Sequence, residues 1–451
     1  MDVSRRIFLK NGGAAIASVG LAPLLGPAFL RRAVFAAEPT AGKRKKTLIC
    51  VFQRGAADGL SIVVPHGDKD LYRLRPGLAI GRPSGGGGNA LELDGFFGLH
   101  PALAPFLPIY KSGHLAAIHA CGSPNGTRSH FDAQDYMESG APGNKGVADG
   151  WLSRTVLACP QDRAKLAASP FRAVALGGAM PRILQGDAGA LAIPDLKTFG
   201  VGTSNAGGQK RGGNAQNEAM TAAAMAGGGG GGVAGGFETL YDKAVGDVLH
   251  GTGQESFEAI KMLRRINPAG YAPARGVVYP NGKFGESLKQ IAQLVKSDVG
   301  LEVAFAEIGG WDTHSNQGTT QGRLSQQLRE FGQGVSALYH DLGDRMSDVV
   351  ILTMSEFGRT VRPNGSNGTD HGHATCFFAL GGAVNGGKVL GKWPGLAEEQ
   401  LNDNRDLALT TDFRAVFGEI AQKHLGAQGM SRIFPGYTGS PADFRGVIKT
   451  A

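Results

Sequence analysis

Residues 348–373 combine an apolar run with side chains that can do acid–base or metal chemistry. Val349–Met354 is rich in β-branched residues, which is typical of a strand buried on both faces. Binding sites in open α/β sheets form where strands end, so the polar residues after this run are the first candidates for an active site or a metal site. They are Glu356, Arg359, Asp370, His371 and His373.

Residues 370–373, Asp-His-Gly-His, hold the densest set of ligand-capable side chains. A carboxylate with two imidazoles suits zinc or another divalent transition metal better than calcium. A polar turn before the next strand is the alternative, but a turn does not require so many titratable groups. Arg359 either holds a phosphate or sulfate group in bidentate fashion or pairs with Glu356.

A second pair of candidate ligands follows the apolar run Val303–Ile308. Asp312 and His314 lie two residues apart in the loop that follows this run. Side chains at this spacing can converge on one cation, and the two glycines before Trp311 allow a close backbone path. The position after a strand strengthens what would otherwise be a weak motif.

Two earlier loops carry less specific signals. Asp58 follows an apolar run at 48–52 and is either a metal ligand or part of an Asp-Gly turn. Ser129 is either a helix N-cap, with Asp132 as the acid of a capping box, or a nucleophile at the positive end of a helix. In the second case Arg128 and His130 beside it favour an anionic substrate. Both alternatives stay open for Asp58, and the two roles of Ser129 are compatible with each other.

The spacing of apolar residues predicts the elements that position these side chains. Helix-compatible segments at 101–110, 131–139, 284–296 and 322–342 alternate with strand-like runs. The runs lie at 48–52, 115–120, 173–176, 303–308, 349–354 and 376–380. This alternation predicts an α/β fold with a mainly parallel central sheet covered by helices on both faces.

The N-terminus has the layout of a twin-arginine signal peptide. Arg5 and Arg6 precede a weakly apolar stretch, and a small-residue cleavage site at 34–36 places the mature start at Ala37. A retained membrane anchor is the alternative, but glycines and charges keep the stretch short and polar. We therefore expect a signal peptide at 1–36, the twin-arginine export machinery as a partner, and a periplasmic or secreted protein.

The sequence after the signal peptide predicts one domain. A basic tail at 37–46 precedes a single domain at 47–446, with a glycine-rich, disordered insertion at 200–236. Half of the net charge of +8 lies in the signal peptide, and no aromatic-interleaved basic stripe occurs, which argues against nucleic acid as a partner. No later run approaches the length of a membrane span, so we expect no transmembrane segment in the mature chain.

The motifs together resemble the DUF1501 family of exported bacterial proteins, over residues 48 to about 425. The resemblance rests on the twin-arginine signal and on six sequences: Arg-Gly-Ala-Ala-Asp-Gly at 54–59, Ser-His-Phe-Asp-Ala-Gln at 129–134, Gly-Trp-Leu-Ser-Arg at 150–154, Gly-Gly-Trp-Asp-Thr-His at 309–314, Ser-Glu-Phe-Gly-Arg-Thr at 355–360 and Asp-His-Gly-His at 370–373. That family is similar in fold to the alkaline phosphatase and sulfatase superfamily, whose members act on phosphate or sulfate esters with one or two divalent metals.

The resemblance implies a metal-dependent hydrolase of a small anionic ester. It implies zinc first, with manganese or calcium as alternatives, and ester hydrolysis by Ser129 or a bound water with Arg128 and Arg359 stabilising the developing charge. Phe357 stands where the superfamily has a metal ligand, which favours the alternative of a non-catalytic periplasmic binding protein. The candidate metal ligands are Asp58, Asp312, His314, Glu356, Asp370, His371 and His373.

Overall fold

The computed structural model describes residues 44–85, 88–160, 169–199, 262 and 266–450. All of them fall within one compact unit. The predicted signal peptide at 1–36, most of the basic tail and the predicted insertion at 200–236 lie outside the described residues. Among the residues described, no helix is long and apolar enough to cross a membrane.

A large mixed sheet forms the centre of the protein. Its strands are β1 (Thr47–Gln53), β5 (Leu115–Gly122), β6 (Ala173–Leu176), β7 (Leu191–Ile193), β8 (Val303–Ile308), β9 (Val349–Met354), β10 (Thr375–Leu380), β11 (Lys388–Leu390) and β12 (Thr411–Asp412). They lie in the order β11-β5-β10-β9-β1-β8-β6-β7, with β12 also paired to β5. Three short strands, β2 (Val63–Val64), β3 (Leu91–Glu92) and β4 (Gly98–Leu99), form a separate sheet.

Strand directions confirm the predicted α/β class with a mainly parallel sheet. The pairs β1 with β8 and with β9, β6 with β7 and with β8, and β5 with β11 and with β12 are parallel. β10 is antiparallel to both of its neighbours, β5 and β9. All six predicted strand positions correspond to strands of this sheet.

Helices cover both faces of the sheet. They are α1 (Gly59–Ile62), α2 (Leu71–Leu74), α3 (Phe106–Lys111), α4 (His130–Ser139), α5 (Trp151–Ala158), α6 (Lys283–Lys296), α7 (Arg323–Leu342), α8 (Phe413–Lys423) and α9 (Met430–Ile433). Three of the four predicted helices are single α-helices. The fourth, predicted at 101–110, consists of a 3-10 turn, Pro101–Leu103, followed by α3. Pro105 separates the two because proline has no amide hydrogen to continue a helix.

Alternating side chains of β1 show how the two cores form. Ile49 and Val51 point into one core with α6 and α7, whereas Leu48, Cys50 and Phe52 point into the other with α5 and α8. This period of two explains why the strand is apolar throughout: both of its faces are covered.

Candidate metal centre

Four segments meet at one edge of the large sheet. The loops after β8 and β9 leave this edge at the carboxyl ends of parallel strands, and α4 begins after β5, which has the same direction. Residues 370–374 arrive from the opposite chain direction because β10 is antiparallel. The amino end of β10 therefore lies beside the carboxyl ends of its neighbours, and chemistry-bearing residues from distant parts of the chain come together.

Asp312, His314 and His371 bring three ligand atoms into contact. His314 Nε2 lies 3.1 Å from Asp312 Oδ1 and 2.8 Å from His371 Nε2, and His371 Nε2 lies 3.5 Å from Asp312 Oδ1. In tetrahedral zinc sites, bond lengths of about 2.0–2.1 Å place neighbouring ligand atoms roughly 3.3 Å apart. The three atoms thus have the mutual spacing of ligands around one cation.

The outward ring nitrogens show which way the lone pairs point. His371 Nδ1 donates to the carbonyl oxygen of Arg128 at 2.8 Å, and His314 Nδ1 donates to Asp370 Oδ1 at 2.9 Å. Since both partners accept, each neutral imidazole carries its hydrogen on Nδ1 and a bare lone pair on Nε2. Two lone pairs and a carboxylate oxygen face one another, an arrangement that a cation or a shared proton must compensate.

His130, the first residue of α4, supplies a third imidazole. Its Nδ1 donates to Glu356 Oε1 at 2.8 Å, and its Nε2 is buried, lies 3.6 Å from Asp312 Oδ2 and has no hydrogen-bond partner within the described part of the chain. His130, Asp312 and His371 each place one ligand atom within 4.8 Å of the others. Asp312 and His371 are thus shared by two groups of possible ligands, one completed by His314 and the other by His130. The pairing of the His130 ring with a carboxylate is typical of metal-bound histidine.

Glu356 is fully buried and well satisfied. It accepts from His130, from the backbone amide of Gly55 and from Gln134 Nε2. Burial raises the pKa of Glu356, but the bonds from His130 and Gln134 outweigh burial and hold the pKa below its usual value. The same bond raises the pKa of His130 against the effect of its own burial. Glu356 therefore orients His130 and does not itself face the centre.

Phe357 forms an apolar wall against two of the imidazoles. Its ring stacks on His130 with centroids 4.9 Å apart and lies 5.0 Å from the ring of His371. Burial lowers the pKa of His371, which favours the neutral, ligating form. The residue that stands in place of an expected ligand thus fixes the orientation of two imidazoles.

Arg359 and Asp312 set the electrostatics of the centre. Arg359 Nη2 donates to Asp312 Oδ1 at 2.9 Å. Partial burial raises the pKa of Asp312, but the charges of Arg359 and His314 outweigh it and hold the pKa below the usual value. The side chain of Asp312 is 45 % exposed and that of His314 is 44 % exposed, so the centre is open to solvent on one side.

The structure places Asp58 away from these ligand atoms. Both of its oxygens accept from the guanidinium of Arg75, at 2.7 and 2.9 Å, and both side chains are buried. Burial raises the pKa of Asp58, but Arg75 outweighs it and the pKa is lowered. Asp58 is therefore an anchor inside the protein, because Arg75 already compensates its charge.

Arg128 and Ser129 lie beside the centre with other partners. Arg128 Nη2 donates to Asp403 and to Asp406, at 2.9 and 2.8 Å, and the backbone carbonyl of Arg128 holds His371. Ser129 is the N-cap of α4: its hydroxyl accepts from the amide of Asp132 at 3.4 Å, and the residue is exposed. The capping alternative describes Ser129 here.

His373 turns away from the other imidazoles. Its Nε2 donates to the carbonyl of Ser123 at 3.0 Å, and its Nδ1 has no partner among the described residues. Within the described part of the chain, Asp370 contacts the centre through His314 alone, and it also accepts from Asn364 Nδ2. Of the seven predicted ligands, the structure brings Asp312, His314 and His371 into direct contact and gives Glu356 and Asp370 supporting positions.

Neither His130 as a ligand nor Gln134 as a support for Glu356 was predicted from the sequence. The signal was present, since His130 follows a cap residue and Gln134 is four residues later on the same helix face. The sequence instead favoured the neighbouring Ser129 as the functional residue.

Comparisons with known proteins support a family resemblance over part of the chain. A model of DUF1501, a family of proteins of unknown function, matches residues 280–433. No curated protein matches. The crystal structure of Ps i-CgsB is 9% identical, covers 89% of this chain and 77% of its own, and has a TM-score of 0.36. The PsFucS1 sulfatase from Pseudoalteromonas sp. is 12% identical, with coverages of 90% and 72% and a TM-score of 0.35. The predicted resemblance to the DUF1501 family is thereby confirmed for residues 280–433, the segment that contributes Asp312, His314 and His371 to the candidate metal centre.

Proposed function

We propose that this chain is an exported, metal-dependent hydrolase of phosphate or sulfate esters. The observation that carries the proposal is that Asp312 and His371 lie close to both His130 and His314, with the outward Nδ1 of each ring bound to an acceptor. Zinc fits this donor set best, because imidazole nitrogens suit it well, whereas calcium prefers oxygen ligands alone and manganese favours carboxylates.

The partial exposure of the centre supports a catalytic site over a purely structural one. Structural zinc sites are closed by four protein ligands, whereas catalytic sites have three and keep the fourth position for water or substrate. Asp312 and His371 form a set of three with either His314 or His130. Asp312 and His314 are about half exposed, so an anionic ester can approach from the solvent side. A divalent cation held there supplies Lewis-acid stabilisation of the developing negative charge.

The chain's own residues have separate tasks in this proposal. Arg359 keeps Asp312 ionised and fixes its orientation, and Glu356 holds the hydrogen of His130 on Nδ1. Ser129 remains the candidate nucleophile: a hydroxyl that accepts one amide hydrogen as a cap still has a second lone pair and its own hydrogen. Water is the alternative nucleophile.

A non-catalytic metal-binding protein is the second candidate. It is favoured by Arg128, which is paired with Asp403 and Asp406 and so does not offer a free charge to a substrate. Phe357 also favours this candidate, because it stands where a metal ligand was expected.

An ester screen distinguishes the two candidates. The mature protein, loaded with Zn²⁺ or Mn²⁺, is assayed on phosphate monoesters, phosphate diesters and aryl sulfates, beside His371→Ala and Ser129→Ala. The hydrolase predicts turnover by the wild type and its loss in His371→Ala; turnover that persists in Ser129→Ala assigns the nucleophile to water. Metal binding without turnover on any ester class would support the binding protein.

Export is a separate part of the proposal. Replacement of Arg5 and Arg6 by lysine should retain the protein in the cytoplasm, because the receptor reads the arginine pair. Unchanged delivery in cell fractionation would remove the twin-arginine route.

A further inference from the structure

Gln317 lies in the protein interior, in the same loop after β8 that carries Asp312 and His314. Among the described residues, its side chain has no hydrogen bond to a ligand atom. Its side chain is fully buried. Gln317 Oε1 accepts from the hydroxyl of Thr313 at 2.8 Å and from the hydroxyl of Thr369 at 2.6 Å. Gln317 Nε2 donates to Asp58 Oδ2 at 2.7 Å.

The two threonines connect Gln317 to both ligand-bearing loops. Thr313 lies between Asp312 and His314, and Thr369 is two residues before His371. The loops also touch directly, because the amide of Thr369 donates to the carbonyl of Thr313 at 3.1 Å. One amide oxygen thus joins the loop after β8 to the loop before β10.

The orientation of the Gln317 amide is determined by its partners. Asp58 is an ionised carboxylate and can only accept, so the nitrogen of the amide must face it. The oxygen then faces two hydroxyl groups, which can donate. Every polar atom of the Gln317 side chain is used, so the group has one favourable position and holds both loops at a fixed separation.

Asp58 and Arg75 anchor this connection to a third loop. Arg75 binds both oxygens of Asp58 and donates to the carbonyls of Thr360 and Val361, which directly follow Arg359. Arg359 in turn binds Asp312. A continuous buried network therefore runs from the loop after β9, through Arg75, Asp58 and Gln317, to the two loops that carry the ligands.

We propose that Gln317 is a positioning residue that sets the separation of Asp312 and His314 from His371, with the Asp58–Arg75 pair as its anchor. This inference rests on the metal centre of the proposed function and adds the residue that presets its geometry. It also gives Asp58 a role, because the Asp58 carboxylate fixes the orientation of the Gln317 amide and thereby the positions of the ligand loops. Outer partners of this kind typically contribute about 10–100-fold to metal affinity.

The test is a zinc titration of the metal-free mature protein with Gln317→Met and a matched control. Methionine preserves the length and approximate volume of the side chain but removes its hydrogen bonds. Gln290→Met is the control, because Gln290 is also buried and its Oε1 accepts from the amide of Leu196 at 2.8 Å, on α6 and away from the ligand loops. Both variants are expected to lose stability, whereas only Gln317→Met is expected to bind zinc about 10–100-fold more weakly.

The visible spectrum of the cobalt-loaded protein gives a second readout. A change in coordination geometry shifts the absorption bands, so Gln317→Met should differ from the wild type and Gln290→Met should not. If Gln317→Met does not fold, Thr369→Val removes a single hydroxyl at nearly constant shape and should still weaken zinc binding several-fold.

The outcomes separate this inference from the proposed function. Wild-type affinity and spectrum in both Gln317→Met and Thr369→Val would overturn the positioning role while leaving the metal centre intact. A wild type that binds zinc with the expected loss in Gln317→Met but hydrolyses no ester supports the positioning role and removes the hydrolase. A wild type that binds no zinc overturns both.

Discussion

Each imidazole of the candidate metal centre is aimed by the partner of its outward nitrogen. The partners differ in kind: Glu356 for His130, Asp370 for His314 and the backbone carbonyl of Arg128 for His371. All three only accept, so all three force the lone pair of the neutral ring onto Nε2. Preorganised lone pairs that face one another are unfavourable in isolation and favourable around a cation.

Replacement of His130 and His373 by residues that cannot ligate tests this assignment at the residue scale. His130→Ala should weaken zinc binding by at least about 10-fold, because it removes a ligand. His373→Gln should bind within about twofold of the wild type, since the His373 ring hydrogen-bonds, among the residues described, to the carbonyl of Ser123 alone. Calorimetric titration with Zn²⁺ measures both. Weaker zinc binding in His373→Gln with normal binding in His130→Ala would show that His373, and not His130, is the ligand.

The sequence predicted correctly those ligands that local sequence marks, and it failed where a tertiary contact decides the role of the residue. Asp312, His314 and His371 follow or precede strands closely, so local sequence was sufficient to select them. Asp58 has the same local signature, but Arg75 compensates its charge from the end of α2. That pairing depends on tertiary contacts, which residue spacing alone does not report.

The candidate metal centre exists because strand β10 runs antiparallel to its neighbours in the sheet. In an all-parallel sheet, residues before a strand lie at the opposite edge from residues after its neighbours. Residues 370–374 precede β10 and still meet the loops after β8 and β9, because β10 reverses the chain. Apolar periodicity predicted where the strands lie, but the pattern of a buried strand is the same in either direction.

The turn between His371 and His373 depends on a glycine for packing space. A Cβ on Gly372 would lie 2.4 Å from the backbone carbon of Arg359, whereas a Cβ on Gly365 in the same loop would meet nothing within 4 Å. Gly372→Ala should therefore cost about 2 kcal/mol or more of stability and weaken zinc binding, and Gly365→Ala should change stability by less than about 0.5 kcal/mol. Urea denaturation and zinc titration measure the two effects; equal behaviour of the two variants would contradict the close packing at Gly372.

Two buried histidines outside the candidate metal centre affect the stability of the whole molecule. His119 donates to the carbonyl of Val63, and His424 donates to the carbonyl of Thr47. Burial lowers the pKa of each to about 4. Since an unfolded histidine has a pKa of about 6.5, the unfolded chain takes up protons between these values and the folded protein does not.

Folding stability should therefore be fully retained above pH 6.5 and decrease as the pH falls towards 4. Each histidine contributes up to about 3 kcal/mol to this loss, with a maximal slope of about 1.4 kcal/mol per pH unit. His424→Gln keeps a donor for Thr47 and does not titrate, so its slope should be smaller by about that amount. Urea denaturation from pH 7 to 4 with a chelator present measures the slopes. Identical slopes in the two proteins would show that His424 is not buried and neutral.

Elemental analysis of the mature protein purified after native export, beside an Asp312→Ala/His371→Ala variant, tests directly whether the candidate metal centre holds a metal. We expect about one equivalent of a divalent transition metal, zinc first, in the wild type and its absence from the folded variant. A metal-free wild type, or a variant that retains the same equivalent, would contradict a metal centre built on Asp312 and His371 with His130 or His314.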